Sequence, residues 1–98
     1  MNAIALHGEC KTPGGKLVVV DCSLVDGRLH DVQISGDFFL FPDDALARLT
    51  AAVEGSLADR SIADRAAAIE VHIKSNDVLL GINAEAIAIA IERALESR

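Results

Sequence analysis

Few side chains in this sequence could do chemistry. His7, His30 and His72 have no nearby Ser, Cys or carboxylate at triad or metal-ligand spacing. They are expected to be structural or solvated, with His30 at a hairpin end beside Cys22 and His72 on a helix flank. Cys10 and Cys22 stand with eleven residues between them. The chain has no CxxC pair and no His at ligand spacing, which argues against a metal site. It also has neither a phosphate-cradling GxxxxGK[ST] loop nor a GxGxxG turn between strand and helix. Gly14-Gly15-Lys16 matches only the end of the former. Two local features are distinctive: the Pro13-Gly14-Gly15-Lys16 turn, and the three aromatic residues of the chain, all gathered at Phe38, Phe39 and Phe41.

The elements that carry these features fit within one domain, residues 1–98, of which 51% are hydrophobic. A chain of this length can bury one modest core. Its net charge of −6 opposes a nucleic-acid partner. No apolar run approaches the ~20 residues of a bilayer span, and the N-terminus lacks the layout of a signal peptide. A cytoplasmic protein with no membrane association is the expectation. The charge is uneven, because residues 1–30 carry three bases and three acids while the remainder holds the whole excess of acid. Two of the three lysines, Lys11 and Lys16, flank the Pro-Gly-Gly turn. This basic tip suits an anion or partner contact, or simply a solvated hairpin end.

The first half alternates with a period of two. Ile4, Leu6, Gly8 and Cys10 share one face, then Val18, Val20, Cys22 and Leu24, then Val32 and Ile34. Pro13-Gly14-Gly15 forms the first loop, which pairs Cys10 with Val18 and Leu6 with Cys22. For the second hairpin, a two-residue Asp26-Gly27 loop would set Val20 opposite Gln33 and mix the faces. A three-residue Val25-Asp26-Gly27 loop, with Gly27 in a G1 bulge, sets Val20 opposite Val32 and Val18 opposite Ile34. The cysteines then lie four residues apart along the ladder. That is ~13 Å, beyond the ~7 Å Cα limit for a disulfide, so both are expected to be buried free thiols acting as small hydrophobes.

The second half has helical signals. Pro42, Asp43 and Asp44 begin one helix with a Leu46, Leu49, Val53 stripe, and Gly55 stops it. Ser61 caps a second, with Ile62, Ala66, Ile69 and Ile73 on one face, and a loop over 76–82 follows. Asn83 caps a third with Ile87, Ile91 and Leu95 inward. Ile89 points nearly opposite that stripe, so this helix is either buried on two sides or presents a docking surface. The predicted architecture is α+β: a three-stranded antiparallel sheet of two hairpins over about residues 3–35, with three helices over about 42–54, 62–75 and 84–96. At the sheet's exit, Phe39 is expected to reach the core. Adjacent side chains diverge, so at least one of Phe38 and Phe39 should face out as an interface anchor.

Two segments are more specific than this pattern. The run His7-Gly8-Glu9-Cys10-Lys11-Thr12-Pro13-Gly14-Gly15-Lys16-Leu17-Val18-Val19-Val20-Asp21 is followed at strand three's exit by Ile34-Ser35-Gly36-Asp37-Phe38-Phe39-Leu40-Phe41-Pro42. The pairing of K-x-P-G-G-K-L with S-G-D-F-F-x-x-P resembles the accessory, C-terminal domain of bacterial and archaeal lipoate–protein ligases, which in some organisms is a separate small subunit. The resemblance covers about residues 7–55, through Val53-Glu54-Gly55, with a weaker match at Leu80-Gly81-Ile82-Asn83. Cys10 stands where the family pattern leads us to expect a bulkier residue.

The resemblance implies a small α+β fold and a heterodimer with a catalytic subunit. That subunit would hold the lipoate pocket, the adenylate loop and the lysine contacting the acyl-adenylate. None of those motifs occurs in this chain, so no catalytic residue is assigned to it. The resemblance also implies that ATP, Mg and lipoate act in the complex, with none bound by this chain alone, and that lipoyl-acceptor proteins are reached indirectly. On this basis Pro13, Gly14, Gly15 and Lys16 are candidates to lie near the nucleotide or the partner, though the tip could equally be a docking contact or a well-formed turn. Asp37, Phe38, Phe39 and Ile89 are candidates for the interface. A different class of function, a sulfur-relay or scaffold protein, would need an exposed, activated Cys10 or Cys22.

Overall fold

Alternating apolar residues build the first three strands, and the computed structural model, which describes residues 3–98, orders them β1-β2-β3. β1 spans Ile4–Lys11, β2 Leu17–Val25 and β3 Arg28–Gly36, all antiparallel. The first hairpin has the expected register, with Leu6 opposite Cys22 and Cys10 opposite Val18. Both cysteines are buried and free.

The second hairpin corrects the predicted turn. Val25 pairs with Arg28, so the loop is the two residues Asp26 and Gly27, with φ of +52° and +75°. Both left-handed values suit the right-handed twist of the strands. The register then shifts between Asp21 and Ser23, which sets Val20 opposite Ile34 and Val18 opposite Gly36. The shift places one extra residue on β3 opposite Cys22, at Asp31, whose φ is +54°. Apolar residues share one face as expected, but a bulge, rather than a longer loop, brings Val20 and Ile34 to one side. His30 pairs with Ser23 rather than lying opposite Cys22. The bulge is held from outside, since the Glu54 carboxylate accepts the Asp31 and Val32 amides at 3.0 and 2.9 Å.

Three helices complete the domain: α1 over Asp44–Val53, α2 over Ile62–Glu70 and α3 over Ala84–Glu96. α1 starts two residues later than predicted, and Pro42 precedes it through a cis peptide. Gly55, at φ +77°, stops it. α2 stops at Glu70 rather than 75, where one tertiary and one local bond take over: Arg48 donates to the His72 carbonyl, and Asp77, three residues on, accepts the Lys74 amide. On α2 the buried partner of Ile69 is Arg65, four residues earlier, whereas Ile62 lies more than a third exposed. The Ser61 and Asn83 side chains cap α2 and α3 by accepting the Asp64 and Ala86 amides.

α3 lies between the sheet and α2, so its flanks are covered within the domain and Ile89 is half-buried against the core. The close approach to the sheet depends on small residues. A Cβ on Gly8 would sit 2.0 Å from the Ala90 carbonyl oxygen and 2.4 Å from the Ala94 nitrogen. Ile87 and Ile91 are fully buried in the same core as Val18, Val20 and Leu29.

The segment predicted as a loop holds a fifth strand. β4 (Phe39–Phe41) pairs with β5 (Val78–Leu80) in a separate two-stranded sheet. Three residues are too few to show a period of two, and the partner strands lie nearly forty residues apart in sequence.

Candidate functional site

The glycine- and lysine-bearing segments meet at one corner of the molecule. At the tip of the first hairpin, Thr12 and Lys16 close the loop, the Thr12 amide donating to the Lys16 carbonyl at 2.8 Å and the Gly15 amide to the Thr12 carbonyl at 2.9 Å. Gly14 and Gly15 have φ of +93° and +85°, and nothing lies near the space their side chains would fill. Their requirement is conformational, and it leaves the tip projecting. The buried Thr12 hydroxyl lies 3.2 Å from both the Lys16 and Gly81 carbonyls and shares its proton between them. The tip is thereby tied to the turn that leads from β5 into α3. The Lys16 stem lies across Gly81, where a Cβ would come within 2.4 Å of Cγ. Lys16 itself is exposed.

The exit from β3 locks onto the same hairpin. The Leu17 amide donates to the Asp37 carboxylate at 2.5 Å, and the Asp37 amide returns to the Leu17 carbonyl at 3.2 Å. Gly36, at φ +147°, fits here because a Cβ would lie 1.9 Å from the Leu17 oxygen. Asp37 thus serves as a clasp within the chain. Phe38 packs against the core, and Phe39 is 55% exposed. This reverses the expected orientation of Phe39. β4 begins at Phe39, and its inward position is taken by Leu40. Phe41 faces out with Phe39.

The structure therefore joins Pro13–Lys16, Asp37, Phe38 and the Leu80–Asn83 turn into one corner. Ile89 lies apart from it, roughly 9 Å along α3 from Asn83. Sequence reasoning missed Thr12, a buried polar residue inside the basic tip. It also missed the clasp between Arg48 and Asp77, which bond at 2.7 Å and fasten the segment before β5 to α1. The Arg48 hydrogen bond holds the Asp77 carboxyl below the ordinary carboxylate range.

Other ionisable groups lie elsewhere. On the open face of the sheet, His7 bonds Asp21 at 2.6 Å through Nδ1 and Glu9 at 2.7 Å through Nε2. The protonated ring donates through both nitrogens, and these bonds, that to Glu9 foremost and that to Asp21 next, favour the imidazolium and raise its pKa. The two carboxylates flank the ring on opposite sides and do not converge on a common point. Burial, with the neighbouring Asp21 charge, pushes the Cys22 thiol up, away from the thiolate that a sulfur relay requires.

Two concavities, of about 530 and 560 Å³, lie between Leu24 and the end of α3 and between β3 and α1. Neither is lined by Pro13–Lys16, Asp37, Phe38, Phe39 or Ile89. The corner is a projecting, exposed turn on a small α+β fold.

No family model matches the chain. A stretch of 40 residues is 45% identical to lipoate-protein ligase A subunit 2 of Thermoplasma acidophilum, and it spans 41% of this chain and 43% of that relative. The match therefore covers less than half of the relative's length. A solved structure from the same organism, described as a bipartite lipoate protein ligase and its E2 lipoyl domain, contains a chain with the same fold. That chain matches with a TM-score of 0.64 and 28% identity, over 92% of this chain and 94% of its own length. In both sequence and fold, this chain resembles the small subunit of a bipartite lipoate–protein ligase, as its two motifs implied.

Proposed function

We propose that this chain is a non-catalytic accessory subunit that works with a separate lipoate–protein ligase catalytic subunit. In that role it supports ATP-dependent activation of lipoate to lipoyl-AMP, before the lipoyl group passes to a lysine of an acceptor protein. The observation that carries the proposal is the clasp between the two motifs. K-x-P-G-G-K-L and S-G-D-F-F, about twenty residues apart in sequence, are bonded to each other through Leu17 and Asp37, at a close approach that Gly36 permits. A projecting tip with Lys11 and Lys16 exposed can bring positive charge to a phosphate-bearing site on another chain, where it stabilises charge that develops during adenylation.

The test separates the two half-reactions. With the catalytic subunit, ATP, Mg and lipoate, this chain should be required for lipoyl-AMP formation, followed as ATP–pyrophosphate exchange. Lys16→Ala should slow that step and leave transfer from preformed lipoyl-AMP to an acceptor domain unchanged. Equal slowing of both steps would contradict the assignment, as would full activation by the catalytic subunit alone.

A further inference from the structure

One face of the small sheet is strongly apolar and uncovered. Pairing sets Phe39 opposite Leu80 and Phe41 opposite Val78. All four face out, at 55%, 59%, 54% and 42% exposure. The alternate residues Leu40 and Leu79 face inward and pack against the core, so alternation places every outward position of the ribbon on the same side. Half of the large apolar side chains exposed among the described residues lie on this one ribbon. A polar outer face would be the ordinary arrangement for a two-stranded sheet on a surface.

We infer that this face, formed by Phe39, Phe41, Val78 and Leu80, is where the catalytic subunit docks; the inference rests on the accessory-subunit function proposed above. Size and charge choose this occupant over a second copy of the chain. The four side chains present about 400 Å² of apolar surface, whereas a stable interface takes about 800 Å² from each partner. Two ribbons face to face would bury only about 800 Å² in all, the size of a packing contact. They would also bring together two chains that each carry −6. A larger partner of a different surface can cover the patch as an apolar centre and extend over its polar surroundings, the usual anatomy of a stable interface.

The ribbon is prepared for this role. Leu40 and Leu79 anchor it from beneath, and the Arg48–Asp77 pair fixes the chain just before β5. The backbone that carries the docking side chains is therefore held in place before the partner arrives, which lowers the cost of ordering it. The ribbon also follows directly from the Gly36-Asp37 clasp. Docking through it would set the position of the hairpin tip relative to the other chain.

The experiment measures association with the ligase catalytic chain encoded in the same genome, by calorimetry, using the full-length chain. Phe39→Ser combined with Leu80→Ser should weaken binding by about a hundredfold, as loss of two central apolar anchors does. Val71→Ser, which removes a 78% exposed side chain just after α2, should leave it unchanged. On the wild-type chain, complex formation should slow amide exchange at 39–41 and 78–80, a readout that does not depend on the variant's folding. Wild-type affinity in the double variant, or unaltered exchange in the ribbon, overturns the docking assignment while leaving the accessory function standing. A wild-type chain that does not bind the catalytic chain removes both. If the double variant abolishes a concentration-dependent self-association while still binding the catalytic chain, the occupant is a second copy and the assignment is wrong.

Discussion

Gly36→Ala should be among the most damaging single changes outside the core, because it acts on the joint between the two motifs. The new Cβ would stand 1.9 Å from the Leu17 oxygen and 3.0 Å from its carbonyl carbon. Carbon–oxygen contacts ordinarily begin near 3.3 Å, so the two backbones must part by about 1.4 Å. The reciprocal bonds between Leu17 and Asp37, at 2.5 and 3.2 Å, cannot both survive that movement. Overpacking of this kind costs about 1–3 kcal/mol and a lost hydrogen bond about 1 kcal/mol, for a total near 3 kcal/mol. For a domain of this size that is a fall in Tm of roughly 10–25 °C. Thermal denaturation followed by far-UV circular dichroism measures it. Gly14→Ala is the control, since its φ is +93° and the space beside it is empty. It should lose only the conformational cost of about 1 kcal/mol. If both variants melt together, or Gly36→Ala melts within a few degrees of wild type, the close approach at Leu17 is not what the glycine serves.

Glu54→Ala should loosen the β3 bulge, because the carboxylate that accepts the Asp31 and Val32 amides is lost. We expect about 1 kcal/mol less stability in urea, since the site is open to replacing water, and faster exchange confined to those two amides. The His7 pair should give a pH-dependent stability. Its pKa is raised above 6.5, so the stabilisation is complete below the unfolded value and disappears as pH rises through the folded one. The Tm difference between wild type and His7→Gln should therefore be largest near pH 6, fall as pH rises above it, and shrink with salt. A difference that grows with pH would contradict the pairing. Cys10 and Cys22, both 6% exposed, should resist alkylation until the chain unfolds; rapid labelling of the native protein would revive the sulfur-relay alternative.

Much of the fold was legible because it rests on local rules. Alternation along β1 and β2 determined which residues face the core, the exposed Ile4 excepted, and parity then determined the register of the first hairpin. Ser61, Asn83 and Gly55 marked helix ends because capping and left-handed stops are properties of single residues. The bulge at Asp31 was not legible, since the residue that holds it, Glu54, comes from beyond α1. The same is true of the small sheet. β4 and β5 are each three residues long, and neither has a pattern until the other lies beside it. Phe39 was expected inward for that reason: its orientation is set by pairing with Leu80, not by anything adjacent to it.

The sequence by itself therefore determined the class of fold, the two burial faces and the two motifs that carry the family resemblance. Only the tertiary structure decided that those motifs form one object. Hydrogen bonds from Thr12 to Gly81 and from Leu17 to Asp37 join segments 69 and 20 residues apart. Such contacts depend on how the elements pack, and no local propensity encodes them.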